Sequence, residues 1–123
     1  MKSRPKLAPV SEEMKQWSAL LAAELSSWPG VTPRPFFSMT AFYRKGRIFA
    51  LLPRTKAFET ANSIAFKLYR ESPKTSKLLL SDPRIRLHGN KHAGWVGFEL
   101  VNAVDLRDVL KWLDVAYRTG IKP

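Results

Sequence analysis

The residues of this chain best suited to chemistry are its cations, and no catalytic set can be assembled from neighbours in sequence. His88 and His92 stand four apart, but Gly89 and Asn90 lie between them and oppose a helix that would align the rings. Asp82 is the one acid between Glu71 and Glu99. A third metal ligand is therefore missing nearby, and solvated turn histidines are the better reading. Ser11, Ser38 and Ser63 have no local base, and none sits in a nucleophile elbow. The glycines make neither a phosphate loop nor a dinucleotide fingerprint. No catalytic residue, metal ligand or cofactor is assigned, and a site built from distant residues stays open.

The cations are different. Arg44, Lys45 and Arg47 surround Gly46, Arg54 and Lys56 follow in a basic stretch, Arg84 and Arg86 alternate with apolar residues, and Lys91 lies between two glycines. The formal net charge is +11, and thirteen Lys or Arg against three acids fall between Arg34 and Lys91. Such a field favours polyanions: nucleic acid, anionic lipid or an acidic protein. Its bland alternative is a charge that only keeps the protein dispersed. These eight residues are the candidate nucleic-acid contacts. They would hold phosphates, with affinity that falls steeply with salt and little sequence selectivity.

The elements that must position them follow from periodicity. At 123 residues, 45% hydrophobic, the chain is long enough for one domain with a real core. We expect a basic tail over residues 1–10 and a single domain over 11–123. Ser11 caps a helix whose apolar face is Met14, Trp17, Leu21, Leu25 and Trp28, stopped by Pro29-Gly30. Both tryptophans are assigned to packing. Pro33 and Pro35 mark an extended connector. Phe36–Leu52 then reads as a β-hairpin with its turn at Arg44–Arg47 and three cations at a projecting tip. In its second strand, alternation places Ile48, Ala50 and Leu52 on one face and Arg47, Phe49 and Leu51 on the other. Residues 54–61 form a basic loop anchored by Phe58. A third strand covers 62–70, with Ile64, Phe66 and Leu68 on one face. Ser72-Pro73 opens a short helix. Arg84–Leu87 and Trp95–Val101 are two further strands, and Asp105 is expected to cap a last helix that ends near Gly120. The expected fold class is α+β, a two-layer arrangement of about five antiparallel strands with helices on one face, in the order α-β-β-β-α-β-β-α.

Three stretches, MTAFYRKGRIFALL, NKHAGWVGFEL and VDLRDVLKWLDVAYR, together with this element order, resemble the YjbR/MmcQ-like family and the related N-terminal domain of TfoX-type proteins. A Gly-Trp-Val strand followed by an aspartate-led helix also resembles an uncharacterised family labelled luciferase-like, more weakly. The YjbR-like resemblance implies a double-wing arrangement suspected of binding DNA. One wing would be the tip at Arg44, Lys45 and Arg47, the other the turn around Lys91, with Arg84 and Arg86 leading into it. This sequence departs from the family pattern in its long basic loop and around Gly89–Gly94.

Three functions follow as expectations: a non-catalytic nucleic-acid-binding module, a protein-interaction or chaperone-like module that forms a homodimer through an uncovered face with Phe37, Met39 and Phe49, or a small-molecule binder using residues such as His88, Asn90 or Tyr43. No apolar run approaches the ~20 residues needed to span a bilayer. The chain lacks cysteine and is expected to be cytoplasmic.

Overall fold

The structure, a computed structural model, describes residues 7–58, 60–88 and 93–120. In chain order the elements are β1 (Leu7–Pro9), α1 (Glu12–Ser26), β2 (Val31–Phe36), β3 (Met39–Arg44), β4 (Arg47–Pro53), β5 (Lys56–Phe58), β6 (Ser63–Lys67), α2 (Pro73–Ser81), β7 (Ile85–Leu87), β8 (Trp95–Glu99) and α3 (Ala103–Thr119). The fold is α+β. Six strands form one antiparallel sheet in the order β2-β3-β4-β6-β8-β7, and β1 pairs with β5 in a separate two-stranded ribbon.

The helices start where their caps dictate. The Ser11 hydroxyl accepts the Met14 N–H at 3.0 Å and donates to Asn62 at 2.7 Å, so the cap also ties α1 to the loop before β6. α3 starts earlier than expected. Its cap is Asn102, and Asp105 sits three residues inside, its carboxylate reaching back to the Asn102 N–H at 3.1 Å. This is a capping box with the acid in its second position, so Asp105 is the box partner and not the cap.

One face of the sheet carries the main core. Met14, Trp17, Leu21 and Leu25 of α1, Leu79 of α2 and Val109, Leu113 and Ala116 of α3 close over Phe42, Phe49, Phe66 and Phe98. Each of these four phenylalanines is essentially fully buried, worth about 2–3 kcal/mol apiece in burial alone. A smaller cluster of Met39, Ala41, Leu51 and Ala65, flanked by Tyr43, Ile48 and Trp95, includes no helix residue.

Where sequence and structure differ, local geometry explains it. The expected connector at 31–35 is β2, an edge strand paired along its length with β3. Its Pro33 and Pro35 removed it from the strand pattern, yet an edge tolerates proline where no ladder donor is needed. The expected first strand therefore divides at a turn through Phe37 and Ser38. The basic loop contains β5, and Leu7–Pro9, within the expected tail, is its partner. The register shift opposite Phe42/Tyr43 places an extra residue, Phe49, in β4. That bulge breaks the expected alternation. Phe49 packs into the helix-covered core, while Ile48 and Leu51 belong to the second cluster. The expected face of Phe37, Met39 and Phe49 therefore does not exist as one surface. The alternation in β6 holds, with Ile64 and Phe66 in the main core and Ala65 in the other cluster.

Candidate nucleic-acid interface

The β3–β4 turn is two residues long, Lys45 at φ 51° and Gly46 at φ 79°. Two successive positive φ values match the right-handed strand twist, and only Gly46 adopts its value without strain. Lys45 is exposed at the tip. The arginines on either side fold back onto the end of α3. Arg44 lies 3.6 Å over the Tyr117 ring and donates to the Tyr117 carbonyl at 3.2 Å. Arg47 donates to the Gly120 carbonyl at 3.2 Å, with Tyr69 beneath its guanidinium at 5.3 Å. Two cations thus satisfy carbonyls that the helix end leaves open, and they complement the negative end of its dipole. Burial raises the Tyr69 phenol, with Arg47 pulling it back, and its hydroxyl donates to the Ile48 carbonyl at 2.7 Å.

Arg84 is the hub of a second network. Its Nε and Nη2 donate to both oxygens of Asp82 at 2.9 and 2.8 Å, and Nη1 reaches Asp105 at 2.7 Å and Asp108 at 2.8 Å. The guanidinium also stacks 4.7 Å from the Phe98 ring centre. Asp82 chiefly, then Asp108 and Asp105, push Arg84 further above its ordinary range. Arg84 in turn holds Asp82 below the usual carboxylate range. For Asp105, burial pulls upward but is outweighed by Arg84 and by the Val101 and Asn102 N–H groups. Arg86 pairs with Glu99 instead. Phe98 and Glu99 are consecutive in β8 and face opposite ways, so the two arginines do not share a face. Arg84 precedes β7, outside the strand alternation, and its side chain turns to the α3 carboxylates, whereas Arg86 lies within β7.

Arg54 and Lys56 are exposed. Arg54 donates to the Phe37 carbonyl at 2.8 Å, and the Arg54 and Thr55 N–H groups both reach the Ser38 carbonyl. The β2–β3 turn is therefore held from the far end of β4. This turn carries Phe37 at φ 56° with its side chain 88% exposed. A left-handed phenylalanine is a genuine backbone outlier. Its ring meets Phe36 edge-on at 5.0 Å. Arg34, opposite Ala41 in the β2–β3 register, lies on the sheet face away from the helices. A hollow of about 300 Å³ lined by Thr32, Arg34, Tyr43 and Gly46 connects it to the Lys45 tip. β3 is six residues long, so the two turns stand roughly 20 Å apart. Among the described residues no ion pair engages Arg34, Lys45, Arg54 or Lys56.

Of the eight expected contacts, Lys45, Arg54 and Lys56 face solvent, Arg44, Arg47, Arg84 and Arg86 hold other parts of the chain, and Lys91 lies outside the described residues, as do Asn90 and His92. Arg34 and Phe37 join the exposed set. Sequence missed Arg34 because two prolines hid its strand, and it assigned Phe37 to a dimer face because it read as part of a strand. His88 is not a free turn residue: its Nε2 meets Glu71 at 2.7 Å. Burial pulls Glu71 upward, but hydrogen bonds from Ser76 and His88 bring it below the usual range. This pair lines a pocket of about 540 Å³ with Tyr69 and Leu80. Between α2 and α3 lies a groove of about 710 Å³, floored by Leu78, Trp112 and Val115 and rimmed by Asp82, Arg84 and Asp108. No group of three or more potential metal ligands occurs among the described residues, and no described helix is long and apolar enough to cross a membrane. Comparison with protein-family models, curated proteins and solved structures returned no match.

Proposed function

We propose that this protein is a non-catalytic nucleic-acid-binding module, and that its contact surface is the β2–β3 edge of the sheet with the start of the basic stretch after β4. The observation that carries this reading is that Lys45 at the β3–β4 tip, Arg34 on β2, and Arg54 and Lys56 beyond β4 are all exposed, with Arg54 bonded to the aromatic β2–β3 turn. None of these four is held by a carboxylate among the described residues: Arg34, Lys45 and Lys56 are available to phosphate, and Arg54 offers the guanidinium donors it does not give to the Phe37 carbonyl. The wing reading is narrowed accordingly. Lys45 remains a phosphate contact at the β3–β4 tip, while Arg44 and Arg47 act mainly as braces for α3. The resemblance to YjbR-like sequences supports the same reading, with DNA as one ligand.

A homodimer through the sheet edge is less well supported. Pro33 and Pro35 cannot donate to an added strand, and proline on an edge opposes such pairing.

The test is binding of a labelled single strand and a labelled duplex at about 50 and 200 mM salt. Four phosphate contacts predict a log–log salt slope of about −3 for the single strand, with dissociation constants of about 1 μM or tighter at the lower salt. The combined change Arg34→Ala, Arg54→Ala, Lys56→Ala flattens the slope to about −1. Absence of binding at low salt, or an unchanged slope in the triple variant, would overturn the proposal.

A further inference from the structure

We infer that the preferred ligand is single-stranded, with an unpaired base stacked on Phe37. This deepens the phosphate-binding reading and rests on it. Phe37 is 88% exposed, so its ring contributes little to the core. It is nevertheless held in a φ that a bulky side chain avoids. Arg54 fixes the turn through the Phe37 carbonyl, and Phe36 braces the ring edge-on at 5.0 Å with an interplanar angle of 73°. At 88% exposure the Phe37 ring keeps a face open to solvent beside this neighbour. The turn is thus ordered before any partner arrives, and an aromatic held still loses less freedom on binding.

The occupant follows from charge. Arg54 is bonded to the Phe37 backbone carbonyl, Arg34 lies two residues before Phe36 on β2, and Lys56 lies two residues beyond Arg54. An aromatic face with cations around it suits a base and the phosphates beside it. A second copy of this positive surface would be repelled by the first. A duplex keeps its bases stacked on each other and offers no free face to the ring, whereas a single strand does. Toward the other turn, the hollow at Thr32, Arg34 and Tyr43 gives the strand a path along the sheet to Lys45, with a second aromatic on the way.

The test compares three probes by fluorescence anisotropy at low salt: an oligothymidylate, an abasic strand of the same length, and a duplex. The full chain is expected to bind the oligothymidylate roughly 5- to 100-fold more tightly than the abasic strand. Phe37→Asn, which suits the left-handed backbone, erases that difference. Phe37→Trp preserves or enlarges it. Equal affinity for the oligothymidylate and the abasic strand would overturn the stacking inference while leaving phosphate binding intact. So would a duplex that binds as tightly as the single strand, or sedimentation showing a dimer that Phe37→Asn dissolves. Failure of all three probes to bind would overturn the underlying reading as well.

Discussion

Replacing Arg84 by alanine removes one guanidinium that serves three carboxylates. Asp82 and Asp108 are partly exposed, at 16% and 32% of their side chains, so solvent screens their contacts to about 1 kcal/mol or less each. Asp105 decides the outcome. Its side chain is 8% exposed, and in the variant it would lie beside two other carboxylates with only the Val101 and Asn102 N–H groups for support. An uncompensated buried charge of this kind costs about 3 kcal/mol, or a fall in Tm of roughly 10 °C for a domain of this size. The cost depends on pH in a defined direction. In the native protein Asp82 and Asp105 titrate below their ordinary values. Their contribution is complete above the unfolded carboxylate pKa near 3.9 and is lost as pH falls through the lower folded values. Without Arg84 the three acids repel one another, and Asp82 and Asp105 take up protons earlier. Urea unfolding at pH 7 and at about pH 4 measures both. The gap between native protein and variant is largest at pH 7 and narrows in acid. A loss under about 1 kcal/mol, or a loss equal at both pH values, would refute the reasoning. Nucleic-acid affinity is unchanged by Arg84→Ala.

The combined change Arg44→Ala and Arg47→Ala unpairs the end of α3 from two donors and two ring contacts; a loss of about 1–2 kcal/mol in thermal unfolding is expected, with a smaller effect on binding than Arg34→Ala and Arg54→Ala together. At Gly94 a Cβ would lie 2.6 Å from the Leu68 carbonyl oxygen, at φ +88°. Gly94→Ala should therefore cost more than about 2 kcal/mol by denaturant melt, against roughly 1 kcal/mol for Gly30→Ala, which meets no neighbour. Phe37→Asn relieves a strained backbone and exposes no core, so its Tm stays level or rises by an amount worth up to about 1 kcal/mol. A clear fall would mean that the Phe37 ring supports the fold.

Much of this architecture is legible in sequence because local rules agree with tertiary ones. Met14 to Leu25 and Val109 to Tyr117 keep helical spacing and are buried accordingly. Ile64 to Lys67 alternates, and Lys-Gly gives the β3–β4 turn. Legibility fails where one residue changes the rule. A single bulge at Phe49 reverses a face that alternation assigns the other way. Two prolines disguise the edge strand that carries Arg34. At the candidate site the difficulty is deeper. Arginines that read alike in sequence have different tasks in space: Arg54 faces solvent, Arg47 holds a helix end and Arg84 neutralises three acids. Only the long-range contacts of Arg84, just before β7, with α3 more than twenty residues away distinguish it from a phosphate ligand. Asp82, Asp105 and Asp108 are visible in sequence as ordinary capping and surface acids, and nothing local marks them as partners of one cation.

The most direct test of the proposed surface is a two-dimensional amide NMR titration of the full chain with an oligothymidylate at low salt. Shifts confined to Thr32, Arg34, Phe36–Ser38, Tyr43–Gly46 and Arg54–Lys56 are the predicted result. Shifts centred instead on Leu78, Asp108 and Trp112 in the α2–α3 groove, or no shifts at all, would contradict it.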